Sequence, residues 1–188
     1  MKLNNQYYIF RHGEAVSNKK NISSCWPEKF LNPLTKNGKQ QIKKAILKIK
    51  KLKIDLIFSS DILRTKQTTE IIVKALKLRI KFDKRLREIN TGIFNGKSLD
   101  QWYGFYKKDK DFFVKRPKNG GENYRDVKKR AKNFLEAINK QYHDKKILIV
   151  GHGGVFENTQ ALVKNYTEKQ RSLYKKDLIL KNGELRKL

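Results

Sequence analysis

The chain has 188 residues, in which 45 Lys and Arg outnumber 18 Asp and Glu and give a formal net charge of +27. This length fits one domain with a sizeable buried core. The short apolar run near the start is interrupted by charged residues, so it resembles neither a signal peptide nor a membrane anchor, and we expect a cytoplasmic protein. The single cysteine, Cys25, cannot form an internal disulfide, and no Cys/His spacing indicates structural zinc.

The large positive charge points first to a polyanionic partner. Lysine-rich stretches such as KKAILKIKKLKI and KKRAKNFLEAINKQYHDKK nevertheless occur along the whole chain, and they are not confined to one element. An evenly spread lysine coat is typical of a solvated surface that attracts anionic substrates in general. We therefore expect no specific nucleic-acid partner and no membrane partner.

The first half of the chain alternates between predicted strands and helices. A buried strand at 7–10 runs into the loop RHGE, and LTKNGKQQIKKAILKIKKLKI predicts a helix that Thr35 caps. IDLIFSSD predicts a second strand, and its end at Ser59, Ser60 and Asp61 should cap the helix ILRTKQTTEIIVKAL. LRIKFD predicts a third strand, and LREINTGIFNG a glycine-punctuated loop.

The second half begins with an irregular segment, residues 98–121, that is rich in aromatic and basic side chains. We expect it to be a lid whose aromatic side chains pack on the scaffold. ENYRDVKKRAKNFLEAINKQY then predicts a helix, KKILIVGHGG a strand with a glycine-rich end, and VFENTQALVKN a helix. LYKKDLILKNGELRKL predicts a hairpin with its turn at Asn182 and Gly183. The alternation indicates one three-layer α/β domain over 1–188, with helices flanking a largely parallel central sheet.

Candidate functional residues follow the predicted strands. One strand ends in RHG, around His12, and another ends in GHGG, around His152. Ligands of open α/β sheets bind beyond the carboxyl ends of the strands, so both histidines should face one crevice. Arg64 and Glu88 also follow predicted strands and can reach the same crevice.

These residue types suit phosphoryl transfer, in which charge on the phosphoryl oxygens must be neutralised and the nucleophile held in line. Arg11 and Arg64 offer planar groups that match phosphate oxygens. His12 can attack phosphorus in its neutral form, which neighbouring arginines favour. His152 can donate a hydrogen bond to the transferring group, and Glu88 can protonate the leaving oxygen and then activate water.

Five segments, in order, carry a resemblance to a known family: RHGEAVSN, SSDILRTKQTTEI, LREINTGIFNG, GGENYRDVKKRAKNFL and ILIVGHGG. Together they resemble the histidine phosphatase superfamily, which includes the phosphoglycerate-mutase-like enzymes, from about residue 7 to 160. The resemblance implies the phosphoglycerate-mutase-like fold and a single domain with a lid excursion at about 98–121.

The resemblance also implies a role for each matching residue. His12 is expected to be the phosphorylated nucleophile, Glu88 the proton donor, and His152 the residue that completes the phosphate pocket. The residues expected to bind phosphate or substrate are Arg11, Asn18 and Arg64. We expect no cofactor and no metal, because the arginines would repel a divalent cation.

The family contains both mutases and phosphatases, and one difference in sequence bears on the choice between them. Mutases are usually longer, retain a bisphosphate cofactor and have an arginine straight after the proton-donor glutamate, whereas here Ile89 follows Glu88. This difference favours a phosphatase acting on a small phosphorylated metabolite. A mutase stays an alternative, because Arg116 and nearby lysines could supply the missing basic contacts.

Two further expectations concern the irregular segment. Its cations could select acidic substrates if they close over the crevice; they are Lys107, Lys108, Lys110, Lys115 and Arg116. Alternatively, its rings and lysines could bind nucleic acid in a non-enzymatic binding or scaffold module; the rings are Trp102, Tyr103, Phe105, Tyr106 and Phe112. The sequence leaves the oligomeric state open.

Overall fold

The computed structural model describes residues 1–188, and a five-stranded sheet lies at its centre. In chain order, the strands are β1 (Gln6–Arg11), β2 (Leu56–Ser59), β3 (Ile80–Phe82), β4 (Lys146–Gly151) and β5 (Leu185–Lys187). They lie side by side in the order β3-β2-β4-β1-β5. The first four run parallel, and only β5 pairs antiparallel, with β1.

Nine helices surround the sheet. They are α1 (Val16–Lys19), α2 (Lys36–Lys51), α3 (Leu63–Leu76), α4 (Leu99–Gly104), α5 (Asp111–Val114), α6 (Tyr124–Gln141), α7 (Gly153–Val163), α8 (Glu168–Leu173) and α9 (Lys175–Leu178). Single turns of 3₁₀-helix lie at Lys84–Leu86 and Gly92–Phe94. Every helix is either too short or too polar to span a membrane.

The central strand β4 shows how the core is divided between the two faces of the sheet. Ile147 and Ile149 point to one face, where they join the apolar sides of α6 and α7, whereas Leu148 and Val150 point to the other face and join α2 and α3. All four side chains are at most 1% exposed. Because both faces are covered, the strand is a continuous apolar run, and the expected three-layer α/β fold is confirmed.

The two long amphipathic helices follow the predicted spacing. On α2 the buried positions Ile42, Ala45 and Ile49 form one stripe, and Thr35 caps the helix by accepting a hydrogen bond from the Gly38 amide at 3.0 Å. On α6 a similar stripe is buried, and Asn123 caps its start. These helices therefore form where local pattern and capping agree.

The predicted hairpin at the end of the chain is wrong in its first arm. That arm contains the short helix α9, and Leu178 and Leu180 are buried in the core, at most 1% exposed. The turn itself occurs as predicted, with Gly183 at φ +73°. The strand after the turn, β5, pairs with β1 and not with the preceding segment.

The predicted cap of α3 is also wrong. The helix begins after Ile62 without a side-chain cap. Ser59 instead contacts Thr69, Asp61 pairs with Arg87, and Ser60 lies against His152. The side chains of Ser60 and Asp61 therefore bind residues that follow β4 and β3, and they do not cap α3.

The irregular segment packs its rings on the scaffold. Trp102, Tyr106 and Phe113 are buried in a cluster that includes Tyr124 of α6. Phe112 stacks on Tyr106, with 4.1 Å between ring centroids, and on Tyr124 at 5.1 Å. Trp102, Tyr106 and Phe112 are therefore engaged in packing, whereas Tyr103 is 43% exposed.

Candidate active site

The two strand-end histidines lie side by side. In the parallel pair of β1 and β4, Arg11 is opposite Gly151, so the following residues, His12 and His152, leave the sheet at the same edge. Their ring centroids are 5.2 Å apart in an edge-on arrangement. Sheet register therefore brings together two residues that are 140 positions apart in sequence.

A cavity of about 200 Å³ opens at this edge. Of the six predicted site residues, five line it: Arg11, His12, Asn18, Arg64 and Glu88. The sixth, His152, is fully buried and lies behind the cavity wall, against the ring of His12. A space of this size suits the body of a small metabolite.

The hydrogen bonds of His12 fix its tautomer. Its Nδ1 lies 2.7 Å from the carbonyl oxygen of Gly13, which can only accept, so Nδ1 carries the proton. Its Nε2 accepts a hydrogen bond from Nε of Arg64 at 3.1 Å. Burial, followed by the charges of Arg64 and Arg11, holds the pKa of His12 well below its usual value. The ring is therefore neutral, with a lone pair on Nε2.

Arg64 is a rigid, buried cation whose side chain is 3% exposed. Its guanidinium donates to the Ser24 carbonyl at 3.0 Å and to the Ser24 hydroxyl at 3.3 Å, and it lies 3.5 Å from Glu28. Ser24 and Glu28 fix the orientation of the guanidinium, which has its charge beside the unprotonated Nε2 of His12.

Arg11 is held by one bond and keeps further donors. Its Nη1 donates to the Leu180 carbonyl at 2.6 Å, whereas its buried Nε has no partner in the protein. Gly153 makes this approach possible, because a Cβ at that position would lie 3.2 Å from Cζ of Arg11. A phosphate oxygen is the kind of acceptor that such a side chain lacks.

Ser60 sets the orientation of His152. The Ser60 hydroxyl lies 2.9 Å from Nε2 of His152, and it accepts a hydrogen bond from the Ile62 amide at 3.4 Å. When this hydroxyl donates to Nε2, the proton of the neutral ring is on Nδ1. That Nδ1 is buried without a protein partner. Burial and the charge of Arg64 hold the pKa of His152 well below its usual value.

Glu88 reaches the cavity from the loop after β3. Its Oε1 accepts a hydrogen bond from the Ile89 amide at 2.9 Å. The same oxygen lies so close to the start of α7 that a Cβ on Gly154 would be 2.8 Å from it. The two adjacent glycines of the GHGG segment, Gly153 and Gly154, therefore make room for Arg11 and Glu88 beside the histidines.

Asn18 also lines the cavity that contains His12. Its Oδ1 accepts from the Ala15 amide at 2.9 Å and from the Asn182 side chain at 3.4 Å, which leaves its Nδ2 as a donor at the cavity wall. The turn at residues 182–183 supports the same loop, since the Gly183 amide donates to the carbonyl of Arg11 at 3.1 Å and of His12 at 3.2 Å.

Several residues that line or support the site were missed from the sequence. Ser60 lies in the SSD segment and could have been found by its place after a strand, but it was interpreted as a helix cap. The others carry no local signal, because they lie on helices where a polar residue is ordinary; they are Tyr103 on α4, Glu157 on α7 and Lys175 on α9.

The five cations of the irregular segment do not line the cavity. Lys115 pairs with Asp111 at 2.8 Å, and Arg116 pairs with Asp126 at 2.7 Å. The part of the segment that does line it is α4, through Leu99, Trp102 and Tyr103. The expectation that these five cations contact substrate is therefore not supported by their positions.

Metal-ligating side chains are sparse around the cavity. No three His, Cys, Asp or Glu side chains lie close enough together to hold a metal ion. The buried Cys25 is a free thiol.

Comparison with known proteins agrees with this geometry. The family model of the histidine phosphatase superfamily (branch 1) matches residues 7–186. The chain belongs to this superfamily, a class of phosphoryl-transfer enzymes that includes phosphatases and mutases. A probable phosphoglycerate mutase, GpmB, of Escherichia coli O1:K1 / APEC is 31% identical over 156 residues, which cover 79% of this chain and 69% of the relative.

Solved structures show the same fold. Bacillus stearothermophilus YhfR superposes with a TM-score of 0.78 at 26% identity, covering 89% of this chain and 83% of that one. A mycobacterial glucosyl-3-phosphoglycerate phosphatase in complex with VO3 superposes with a TM-score of 0.82 at 22% identity, covering 97% of this chain and 92% of that one.

Proposed function

We propose that the protein is a phosphomonoester hydrolase that acts through a phosphohistidine on His12 and takes a small phosphorylated metabolite. The observation that carries this proposal is the state of His12: its Nδ1 is held by the Gly13 carbonyl at 2.7 Å, and its unprotonated Nε2 lies 3.1 Å from Nε of Arg64. The lone pair of the unprotonated Nε2 attacks phosphorus once the Arg64 N–H that it accepts here turns to a phosphoryl oxygen of the substrate.

In the first half of the reaction, Nε2 of His12 forms a bond to phosphorus while the bond to the leaving oxygen breaks. Arg11 and Arg64 neutralise the charge on the phosphoryl oxygens. Nδ1 of His152, which has no partner in the protein, donates a further hydrogen bond to the transferring group. The carboxyl of Glu88 gives its proton to the leaving oxygen.

In the second half, water attacks the phosphorus of the phosphohistidine. The Glu88 carboxylate takes a proton from that water, the N–P bond breaks, and inorganic phosphate leaves with His12 neutral again. Each group thus returns to its starting protonation state, and no metal ion takes part in any step.

Trapping the intermediate tests the proposal. Wild-type protein that is quenched during turnover of a ³²P-labelled phosphomonoester should carry an acid-labile, base-stable label on the peptide that contains His12. The His12→Ala variant should carry none. The matched control is His143→Ala, which alters an exposed histidine and should keep the label. An equal label on His12→Ala, or an acid-stable label, would contradict the assignment.

A phosphoglycerate mutase is the second candidate, favoured by the 31% identity to a relative named as a probable enzyme of that kind. The contacts invoked for it from sequence are engaged elsewhere, since Arg116 pairs with Asp126 and does not line the cavity. We therefore expect ³¹P NMR of 3-phosphoglycerate, primed with the bisphosphate, to show release of inorganic phosphate. Appearance of 2-phosphoglycerate would establish the mutase instead.

A further inference from the structure

Glu157 is an acidic residue on the wall of a cavity built for a phosphate. It lies on α7, five residues after His152, and it lines the same cavity as His12. Its side chain is 15% exposed, so it is largely removed from bulk water. Apart from Glu88, it is the only carboxylate among the lining residues, and the proposed reaction has no use for it.

The hydrogen bonds of Glu157 leave half of its carboxylate unused. Its Oε2 accepts from Nη2 of Arg171 at 2.8 Å, and its Oε1 accepts no hydrogen bond from the protein. Arg171 is 4% exposed and stacks on Tyr124, with 4.1 Å from Cζ to the ring centroid, so it cannot swing to cover the other oxygen. Oε1 is not among the fully buried atoms without a partner, so water in the cavity can reach it, and a hydrogen-bond donor of a ligand can replace that water.

A cation lies beside this carboxylate. Lys175, the first residue of α9, lines the cavity and is held with its Nζ 5.5 Å from the ring centroid of Tyr103 and 5.3 Å from that of Phe112. Burial raises the pKa of Glu157, while Arg171 and Lys175 act in the opposite direction. The cavity wall thus presents one negative and one positive side chain besides the proposed catalytic residues.

Resting on the phosphatase function proposed above, the structure assigns Glu157 as a specificity-determining residue that selects phosphomonoesters whose alcohol carries an ammonium group. A carboxylate accepts more strongly from an ammonium than from a hydroxyl, because the first hydrogen bond is charge-assisted at both ends. Lys175 pairs with an acidic group on the same alcohol, so the substrate is a small phosphorylated zwitterion.

The choice of ligand follows from the charges on the wall. A neutral polyol would leave Lys175 without a charged partner and would offer Oε1 of Glu157 only a neutral donor, whereas a second phosphate in the place of the ammonium would meet the Glu157 carboxylate. A like charge in a partly desolvated site costs far more than it does in water. An alcohol with one ammonium and one carboxylate satisfies both side chains at once.

The test uses two probes that differ only in this group: O-phosphoserine and 3-phosphoglycerate of matching configuration, an ammonium against a hydroxyl with the carboxylate and phosphate retained. We expect wild-type kcat/KM to favour phosphoserine by about tenfold or more. In Glu157→Gln, which keeps an acceptor for Arg171 but removes the charge, the ratio should fall towards one.

Lys175→Met is the matched control. It should lower kcat/KM for both acids and keep their ratio, because both carry the carboxylate. A wild-type ratio near one, a preference for the hydroxyl compound, or an unchanged ratio in Glu157→Gln would each overturn the role of Glu157.

A separate measurement shows whether the proposed phosphatase function itself fails. If neither acid is hydrolysed and His12 takes no label, the phosphatase proposal fails. The role of Glu157 is then decided by calorimetric binding of the two acids to the His12→Ala variant, in which a ratio of dissociation constants near one overturns it. Thermal unfolding of Glu157→Gln shows whether the variant is folded.

Discussion

The neutral state of the buried histidines sets how the protein should respond to acid. His12 and His152 both have pKa values well below the usual value for histidine, in each case first because of burial and next because of the charge of Arg64. On unfolding, each ring returns to a pKa near about 6.5 and takes up a proton below that pH. The unfolded state then binds more protons than the folded state, so stability falls as pH drops below about 6.5.

We therefore expect the melting temperature to fall more steeply between pH 7.5 and pH 5 in the wild type than in His152→Gln. The slope is the readout, since the substitution also changes stability at neutral pH. Calorimetric scans at four or five pH values measure it, and other titrating groups cancel in the comparison. Equal slopes would show that the folded-state pKa of His152 is not lowered.

Glu88 carries a prediction about leaving groups. Its proton matters most when the departing oxygen is a poor leaving group, so Glu88→Gln should lower kcat/KM, which does not include the attack of water, by about 10²- to 10⁴-fold for an alkyl phosphate. An aryl phosphate, whose leaving oxygen needs little protonation, should lose much less. Steady-state rates on glycerol phosphate and p-nitrophenyl phosphate test this. Equal losses on both would move the proton donor to another residue.

At the scale of single residues, the sequence predicted the cavity residues that follow strands better than those that lie on helices. His12, Arg64 and Glu88 follow strands, and strand ends converge whatever the details of packing, so their meeting at one cavity was predictable. Glu157 and Lys175 were not found, because a charged residue on a helix looks like a surface residue until the helix is placed against a cavity.

At the scale of elements, the first turn of α7 packs closely against the end of β1 and against the loop that carries Glu88. Gly154 faces Oε1 of Glu88, and a methyl group there would lie 2.8 Å from that oxygen. Gly154→Ala should therefore displace the Glu88 carboxyl, and a misplacement of about 1 Å can cost about 100-fold in rate. Alanine favours helix, so the melting temperature should change little by comparison.

A double-mutant cycle shows whether this effect runs through Glu88. In a Glu88→Ala background the clash is gone, so Gly154→Ala should there change kcat by less than about twofold. The same loss of rate in both backgrounds would mean that the methyl group acts on another part of the site, such as Ile89, whose Cγ2 would lie 3.2 Å away.

The end of the chain shows why element prediction failed there. Alternating apolar residues around Asn182 and Gly183 resemble a hairpin, and the turn indeed forms. Local pattern cannot reveal, however, that the edge of β1 away from β4 is free to pair with β5, nor that Leu178 and Leu180 fill the core. Non-local partners decided the structure of this segment.

At the scale of the whole molecule, the charge of +27 should act as a long-range field. Lys107, Lys108 and Lys110 are exposed and do not line the cavity, so reversing all three to Glu should raise KM for a dianionic substrate only modestly and leave kcat nearly unchanged. The effect should vanish at about 0.5 M salt, where charges are screened beyond a few ångströms.

Charge reversal of three lysines on another helix distinguishes an effect of the long-range electrostatic field from direct contact with the substrate. Lys43, Lys44 and Lys48 of α2 are also exposed and outside the cavity wall, and their reversal changes net charge by the same amount. Similar shifts in KM for both triple variants, compared across salt concentrations, are expected. A larger, salt-resistant effect of the 107–110 set would show that this segment contacts substrate.

The support of the His12 loop by residues near the end of the chain has a consequence for biosynthesis. His12 is made early, but its backbone carbonyl is held by Asn182, 170 positions later, and the adjacent Arg11 by Leu180. A nascent chain that ends before Leu180 lacks these two hydrogen bonds and keeps those from the loop to Gly151 and Thr68. The loop around His12 therefore reaches its full set of hydrogen bonds only after residue 182 has been synthesised.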